Sequence, residues 1–443
     1  MRSERKSLDI IERALAAANA GEADAIFMSS DTNISRFANS NLHQNMSEIS
    51  AELTLRVVID DAMGVASTTS FEPDDIAEMA GVAREAARHS LPLRDFGGLY
   101  RGGEDVPDLP TFQRADISPA EKARALRTMF DRGREAGVHF AGAYGTDASS
   151  VACGNSHGVR RYCTMTVSEA TVIAIRGDES GYATDIARGG IDILALGAEA
   201  IEKATMFAGV QAKIENGKYD AILEPAAIAE VLDWMNLITF SGQSFEDGSS
   251  FFVGNIGKQI AAKNFTLADD AIDPGFLPFP FDLEGLPKRR VALIEKGIAR
   301  TPVVDKAYAD RLRIPPTANG WGLGSSEHGV ALHLSVDAGD STREELIRST
   351  KNGVWVTRFN YVNGLLEPKT AMMTGTTRDG TFLIRDGDVV ARLPNLRWTQ
   401  SMVEAFSNVE GLTRERRRAG SWSNPFGGTI APTMKIAGWN FGA

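Results

Sequence analysis

Ile49-Ser-Ala-Glu-Leu-Thr-Leu-Arg-Val-Val-Ile59 decides the fold of the first half of this chain. Ile49, Ala51, Leu53, Leu55, Val57 and Ile59 fall on one face, and Ser50, Glu52, Thr54 and Arg56 on the other. A period of two places successive side chains on opposite faces of a strand. One apolar and one polar face mark a half-buried strand of an antiparallel sheet, because parallel sheets bury both faces. Asp60-Asp61-Ala-Met-Gly64 then reads as a turn, and residues 65–69 as the returning strand.

Around this strand the pattern alternates between helix and sheet. Leu8, Ile11, Leu15 and Ala18 recur at helical spacing, with Gly21 placed to close the helix. Residues 25–28 read as a strand. A helix follows Pro73, with Ile76, Met79, Ala80, Ala83 and Ala87 facing inward. Residues 91–113, rich in Gly, Pro and Asp, predict a long loop. Ser118-Pro-Ala-Glu121 is a capping box with proline at the first helical position, opening a helix to about residue 135. Two or three strands fill 138–176, turning near Asn155-Ser-His-Gly158. Asp192 caps a further helix that runs to about residue 207.

After Gly217 the texture changes. Tyr219-Asp-Ala-Ile-Leu-Glu-Pro-Ala-Ala-Ile-Ala-Glu-Val-Leu-Asp-Trp-Met235 reads as a short buried strand, a proline at the first helical position, then a helix over 225–237. Mostly short strands and Gly/Pro-rich turns follow. Residues 291–297 form a strand running into a turn, and 433–439 a last strand. Residues 382–392 form a hairpin on Asp386-Gly387. The predicted class is α+β. A mixed α/β two-layer domain spans 1–212, and a larger, mostly antiparallel β domain spans 213–443. The boundary falls between Phe207 and Lys218.

Composition excludes several functions. The 443 residues suit two or three domains, and 43% hydrophobic with 24% charged residues is ordinary for a globular chain. A net charge of −11 opposes binding of nucleic acid through its phosphates. No apolar run reaches the roughly 18 residues of a membrane span. The first residues read as an amphipathic helix and not as a signal peptide. Cys153 and Cys163 allow a disulfide without requiring one, and such sparse cysteine suits a reducing compartment. The cytoplasm is the expected location.

Few groups point to chemistry. Glu230 and Asp233 share a helix face and would suit acid/base work. No third group completes a site, so they read as a solvated face. His328 and His333 are five apart, off the spacing of a zinc helix. His328 reads as a loop or surface residue, and His333 as a satisfied histidine within a strand. Gly320-Trp-Gly-Leu-Gly-Ser-Ser326 lacks the preceding strand that a phosphate loop needs, and reads as a turn. No Gly-x-Ser-x-Gly elbow occurs. Ser35-Arg-Phe-Ala-Asn-Ser40 and Gly353-Val-Trp-Val-Thr-Arg-Phe-Asn-Tyr361 are strand-like and could hold an extended peptide by strand addition. Val354, Val356 and Arg358 would share one face, with Trp355, Thr357 and Phe359 on the other. The peptide-binding candidates are Arg36, Asn39, Trp355 and Arg358.

Taken in order, several segments resemble the TldD/PmbA family of peptidase-related proteins. Ser35-Arg-Phe-Ala-Asn-Ser-Asn-Leu-His-Gln-Asn45 is similar to its N-terminal strand motif. Asp273-Pro-Gly-Phe-Leu-Pro-Phe-Pro-Phe-Asp-Leu-Glu-Gly285 precedes a strand ending in Glu295-Lys-Gly297, as in the family. Arg378-Asp-Gly-Thr-Phe-Leu-Ile-Arg-Asp-Gly387 and Pro432-Thr-Met-Lys-Ile436 are similar to its C-terminal hairpin and last strand. The likeness runs from about residue 8 to the end.

The resemblance implies an α+β N-terminal domain and a larger antiparallel β domain. It also implies that the TldD branch holds zinc on an H-E-x-x-x-H helix, with a cysteine near the C-terminus. The corresponding helix here, 225–237, has no histidine, and residues 416–424 have no cysteine. Catalytic zinc needs about three protein ligands, so no catalytic or metal residue carries over. The chain resembles the PmbA/TldE branch, whose members include modulator of DNA gyrase-like proteins. That implies a cofactor-free subunit of a heterodimeric metallopeptidase acting on unfolded or leader peptides, with zinc in a TldD-like partner. The alternative is a self-associating peptide-binding or scaffold protein. Whether this chain is itself an enzyme stays open at this point, as does a homodimer.

Overall fold

The computed structural model describes residues 3–113, 118–322, 329–423 and 427–442. Its architecture is α+β, and among the described residues the strands form a six-stranded and an eleven-stranded sheet.

The first sheet grows from the alternating strand. Helix α1 (Glu4–Ala18) leads into β1 (Glu22–Ala38), β2 (Asn41–Ile59) and β3 (Ala62–Thr68). Helices α2 (Pro73–His89) and α3 (Pro119–Glu135) follow. Strands β4 (His139–Asn155), β5 (Arg160–Arg176) and β6 (Glu179–Ala187) and helix α4 (Ile193–Thr205) complete the unit. The order β3-β2-β1-β4-β5-β6 is antiparallel throughout. The predicted inward residues of α2 are all buried. Ser118 and Glu121 form the capping box at α3. Asp192 accepts from the backbone N–H groups of Leu194 and Ala195 at the start of α4.

Both edge strands admit their helix through a glycine. A Cβ on Gly64 of β3 would lie 2.0 Å from the Ala83 carbonyl of α2. A Cβ on Gly181 of β6 would lie 2.3 Å from the Ala200 carbonyl of α4. Neither position leaves room for a side chain.

Four expectations are corrected here. Helix α1 ends at Asn19, in the left-handed conformation at φ 43°, and not at Gly21. Asparagine tolerates that region when its side chain bonds locally. The 25–28 strand extends to seventeen residues. Ile49 shares a parity with buried Leu53, Leu55 and Val57 yet is 78% exposed, because it lies outside the core that α1 and α2 build on those three residues. Arg56 belongs to the polar face yet is buried, because the segment containing Glu284 folds across it.

The second unit opens with β7 (Gly217–Leu223) and α5 (Pro225–Ile238). Then come β8 (Leu267–Asp270), β9 (Arg290–Glu295), β10 (Ile298–Ala299) and β11 (His333–Val336). Strands β12 (Asn352–Glu367), β13 (Met372–Arg385), β14 (Asp388–Arg392), β15 (Arg397–Ser401), β16 (Val409–Gly420) and β17 (Gly428–Phe441) complete it. β7 runs parallel to β12 and β11 parallel to β17, while the other ladders are antiparallel. The strands are longer than expected. β12, β13, β16 and β17 run 12 to 16 residues, and bulges shift the register within the β12–β13 and β16–β17 ladders. Asp386 and Gly387 make the predicted turn with φ of 48° and 87°.

The units are joined by residues from far apart in sequence. Phe279, Phe281 and Leu283 pack on Ile26, Val151, Cys153, Cys163 and Met165, covering the face of the first sheet that its helices leave open. Arg56 reaches Asp24 at 2.5 Å and Glu284 at 3.1 Å across this contact. Burial lifts the Glu284 carboxyl to about 8 against the pull of Arg56.

Candidate functional site

Helix α5 stands at the centre of the second unit because β7 delivers it there. Ala221, Ile222 and Leu223 are fully buried, and Pro225 fixes the first helical φ. Ala227, Ile228, Val231, Leu232 and Met235 then pack into the main core. Glu224, at the N-cap position, does not cap its helix. Its carboxylate accepts from Lys203 of α4 at 2.6 Å and from the Trp355 indole N–H at 3.0 Å.

The polar side of α5 is not a solvated face, which corrects the sequence expectation. Asp233 is only 3% exposed. It accepts from the Ser421 hydroxyl at 2.8 Å and from the Trp422 backbone N–H at 3.0 Å. Burial pushes its carboxyl up to about 7 despite those bonds. Glu230, one turn earlier, is half-buried. Burial raises it and the Arg358 guanidinium lowers it. Trp234 meets Trp422 with ring centroids 5.3 Å apart. Gly364 lies flat on the Trp234 ring, where a Cβ would come within 2.9 Å. Trp422 is itself exposed, as are Tyr361, Leu365 and Leu366 on the β12 segment that carries Gly364.

A second polar cluster lies between the units. Lys203 bridges Glu199 and Glu224, each at 2.6 Å, and Arg417 of β16 reaches Glu199 at 2.5 Å. Arg418 pairs with Asp185 at 2.8 Å. Beside Glu199 and Glu224 lies a cavity of about 280 Å³, lined also by Thr342, Arg343, Thr413 and Arg417. Its positive and negative groups already neutralise one another. Sequence reasoning missed this cluster, although the run Arg416-Arg417-Arg418 was a visible signal.

Among the described residues, no group of three or more His, Cys, Asp and Glu side chains stands where it could hold a metal ion. The donor set at α5 does not fit zinc, because it offers carboxylates without imidazole or thiolate and Asp233 is committed to the 421–423 loop. The histidines lie elsewhere. His89 bonds Glu85, His157 bonds Glu22 at 2.8 Å, and His43 is exposed on β2. His333 is fully buried in β11, where its backbone N–H donates to Asp269 at 2.8 Å. His328 and residues 323–326 of the glycine-rich stretch lie outside the described residues. Gly320 itself is tied to Asp282 and Leu283 within a loop. Cys153 and Cys163 are free buried thiols, and burial pushes Cys163 up to about 12.

The four peptide-binding candidates are not brought together. Arg36 and Asn39 sit at the tip of the first sheet, with Asn39 in the hairpin turn at φ 49°. Trp355 and Arg358 lie on β12 in the second sheet. Strand addition is closed along part of each expected stretch. β1 is paired on both sides as far as Phe37, and residues 353–356 lie between β7 and β13. Trp355 is 2% exposed, sealed against Phe382. A bulge between Val356 and Arg358 moves Phe359 onto the face of Val354 and Val356, which overturns the expected alternation. Arg358 is thereby turned towards Asp379, whose carboxylate accepts from its Nε at 2.7 Å, and lies over the Tyr182 ring.

With this geometry in place, the chain can be set beside known proteins. A family model described as the PmbA/TldA metallopeptidase C-terminal domain matches residues 216–443, and one described as domain 1 matches residues 23–87. The chain belongs to the TldD/PmbA family of metallopeptidase-related proteins. It is 23% identical over 227 residues to a metalloprotease from Methanothermobacter thermautotrophicus, covering 51% of this chain and 49% of that one. The match thus spans about half the length of that curated relative. Among solved structures, it is similar to TldE from Thermococcus kodakarensis, with a TM-score of 0.87, 21% identity and coverage of 98% and 99%. A Thermotoga maritima protein described as a modulator of a DNA gyrase gives 0.86, 18%, and coverage of 98% and 100%. At these identities the structural likeness establishes the fold.

Proposed function

We propose that this chain is the metal-free, TldE-like subunit of a two-chain metallopeptidase that cleaves unfolded or leader peptides. A TldD-like partner supplies the zinc and the attacking water, and this chain shapes the chamber and docks the partner. The observation that carries the reading is the Asp233 contact. Where the resemblance expects a zinc helix facing a cysteine, α5 presents a carboxylate bonded to a serine loop. The exposed apolar side chains of Tyr361, Leu365 and Leu366 on β12 and of Trp422 on the loop bonded to Asp233 support a partner face, since exposed apolar surface marks interaction sites. The reading places the pair in the cytoplasm, in keeping with two unpaired thiols. Among the described residues, no helix is long and apolar enough to cross a membrane.

Metal analysis and peptidase assays on the purified chain, alone and mixed with the TldD-like protein of its host, test the reading. Activity only in the mixture is expected. Stoichiometric zinc together with activity in the chain alone would overturn it. Purification from the native host without any TldD-like chain would favour a self-associating scaffold.

A further inference from the structure

Among the described residues, the outer edge of β2 carries no strand over much of its length. The ladder to β3 stops at Leu53 and Thr68, while β2 continues along β1 back to Asn41. Among the described residues, the backbone of 41–50 makes no hydrogen bond besides its pairing with β1. Residues 41–50 are exposed without exception, including Leu42, Met46 and Ile49. A two-stranded ribbon is marginal in water. Natural proteins blunt open edges with lysine, proline or bulges. Here one bulge sits at His43, and residues 44–52 contain no lysine, arginine or proline.

Charge says what fits the edge. Glu48 and Glu52 project from one face of β2, and Asp147 lies in the same row as Glu48 through Thr32. Ile49 projects from the other face. A second copy of this chain, at net charge −11, would bring the same glutamates to the interface and fits poorly. We propose that the edge of β2 from Asn41 to Glu52 is a docking site for an extended peptide with alternating basic and apolar residues. The peptide adds as a further strand, its backbone pairs with β2, its cations face Glu48 and Glu52, and its apolar side chains cover the Ile49 face. The site lies on the ribbon whose inner strand holds Arg36, but on the neighbouring strand, where backbone groups are free. The inference rests on the peptide-handling reading only for the role of the bound peptide, and its test needs no partner subunit.

The probe is a capped peptide of alternating valine and lysine, of about twelve residues, long enough to span the edge from Asn41 to Glu52 at roughly 3.4 Å per residue. Hydrogen exchange on the full chain alone is expected to show slowed exchange of amides within 41–52 on adding the probe. The double variant Glu48→Lys/Glu52→Lys, with its melting temperature confirming the fold, is expected to bind about tenfold more weakly. No protection at 41–52 would overturn the proposal. So would equal binding of an N-methylated probe, equal binding of a valine–glutamate probe, or a homodimer that already protects this edge in sedimentation and exchange. Because peptidase activity is not read, failure here leaves the two-chain reading standing, and failure of that reading leaves the edge testable.

Discussion

The Asp233 carboxylate on α5 and the Ser421 hydroxyl, 188 positions later, are joined by a 2.8 Å hydrogen bond that fixes the loop after β16 to the central helix. The Trp422 backbone N–H, bonded to the same carboxylate, and the Trp234–Trp422 ring contact make the attachment two-sided. The loop position is thus set by a carboxylate held in a nearly dry site, and this has consequences in pH.

Asp233 should make stability fall with rising pH. Its folded pKa, about 7, lies above the ordinary 3.8, so the folded state binds more proton than the unfolded state between these values. Stability then decreases as pH rises through that window and levels off above it. The full span is at most roughly 4 kcal/mol. Urea titrations from pH 4 to 8 should show this slope in the native chain and a flatter profile in Asp233→Asn.

Arg56 should be costly to remove alone. Arg56→Met leaves Asp24 and Glu284 buried without their cation, a loss of about 3–5 kcal/mol. Adding Asp24→Asn and Glu284→Gln should recover much of it, because the buried carboxyls left without a partner go too. Denaturant midpoints of the single and triple variants decide this.

Gly64 should not accept a side chain. A Cβ there would meet the Ala83 carbonyl at 2.0 Å, so β3 and α2 must separate. Gly64→Ala is expected to cost about 1–3 kcal/mol, read as a lower melting temperature. The same change at Gly158, whose Cβ would meet nothing within 4 Å, tests the contribution of positive φ without a clash.

Zinc should leave the isolated chain unchanged. A ligand that binds only the folded state raises the melting temperature by mass action. Equal melting temperatures in excess zinc and in chelator are expected, since α5 offers no imidazole or thiolate. A zinc-dependent rise would place a metal site in this chain.

Local sequence determined the elements and part of the site. The alternation of 49–59, the Ser118–Glu121 box, the Asp192 cap and the Asp386-Gly387 turn each act through neighbours in the chain, and each forms as read. The same holds for the α5 helix and its lack of histidine. Tertiary structure decided which polar faces are covered. Period-two alternation placed Arg56 and Ile49 correctly on their faces, but burial depended on Glu284, 228 positions from Arg56, and on how far the core built by α1 and α2 extends. The bulge in β12 reversed Phe359 and Arg358, and the loop at Ser421 turned Asp233 from a solvated carboxylate into a buried one. Periodicity states which side of an element is apolar. It is silent on what the rest of the chain lays over the other side, because that cover comes from residues hundreds of positions away.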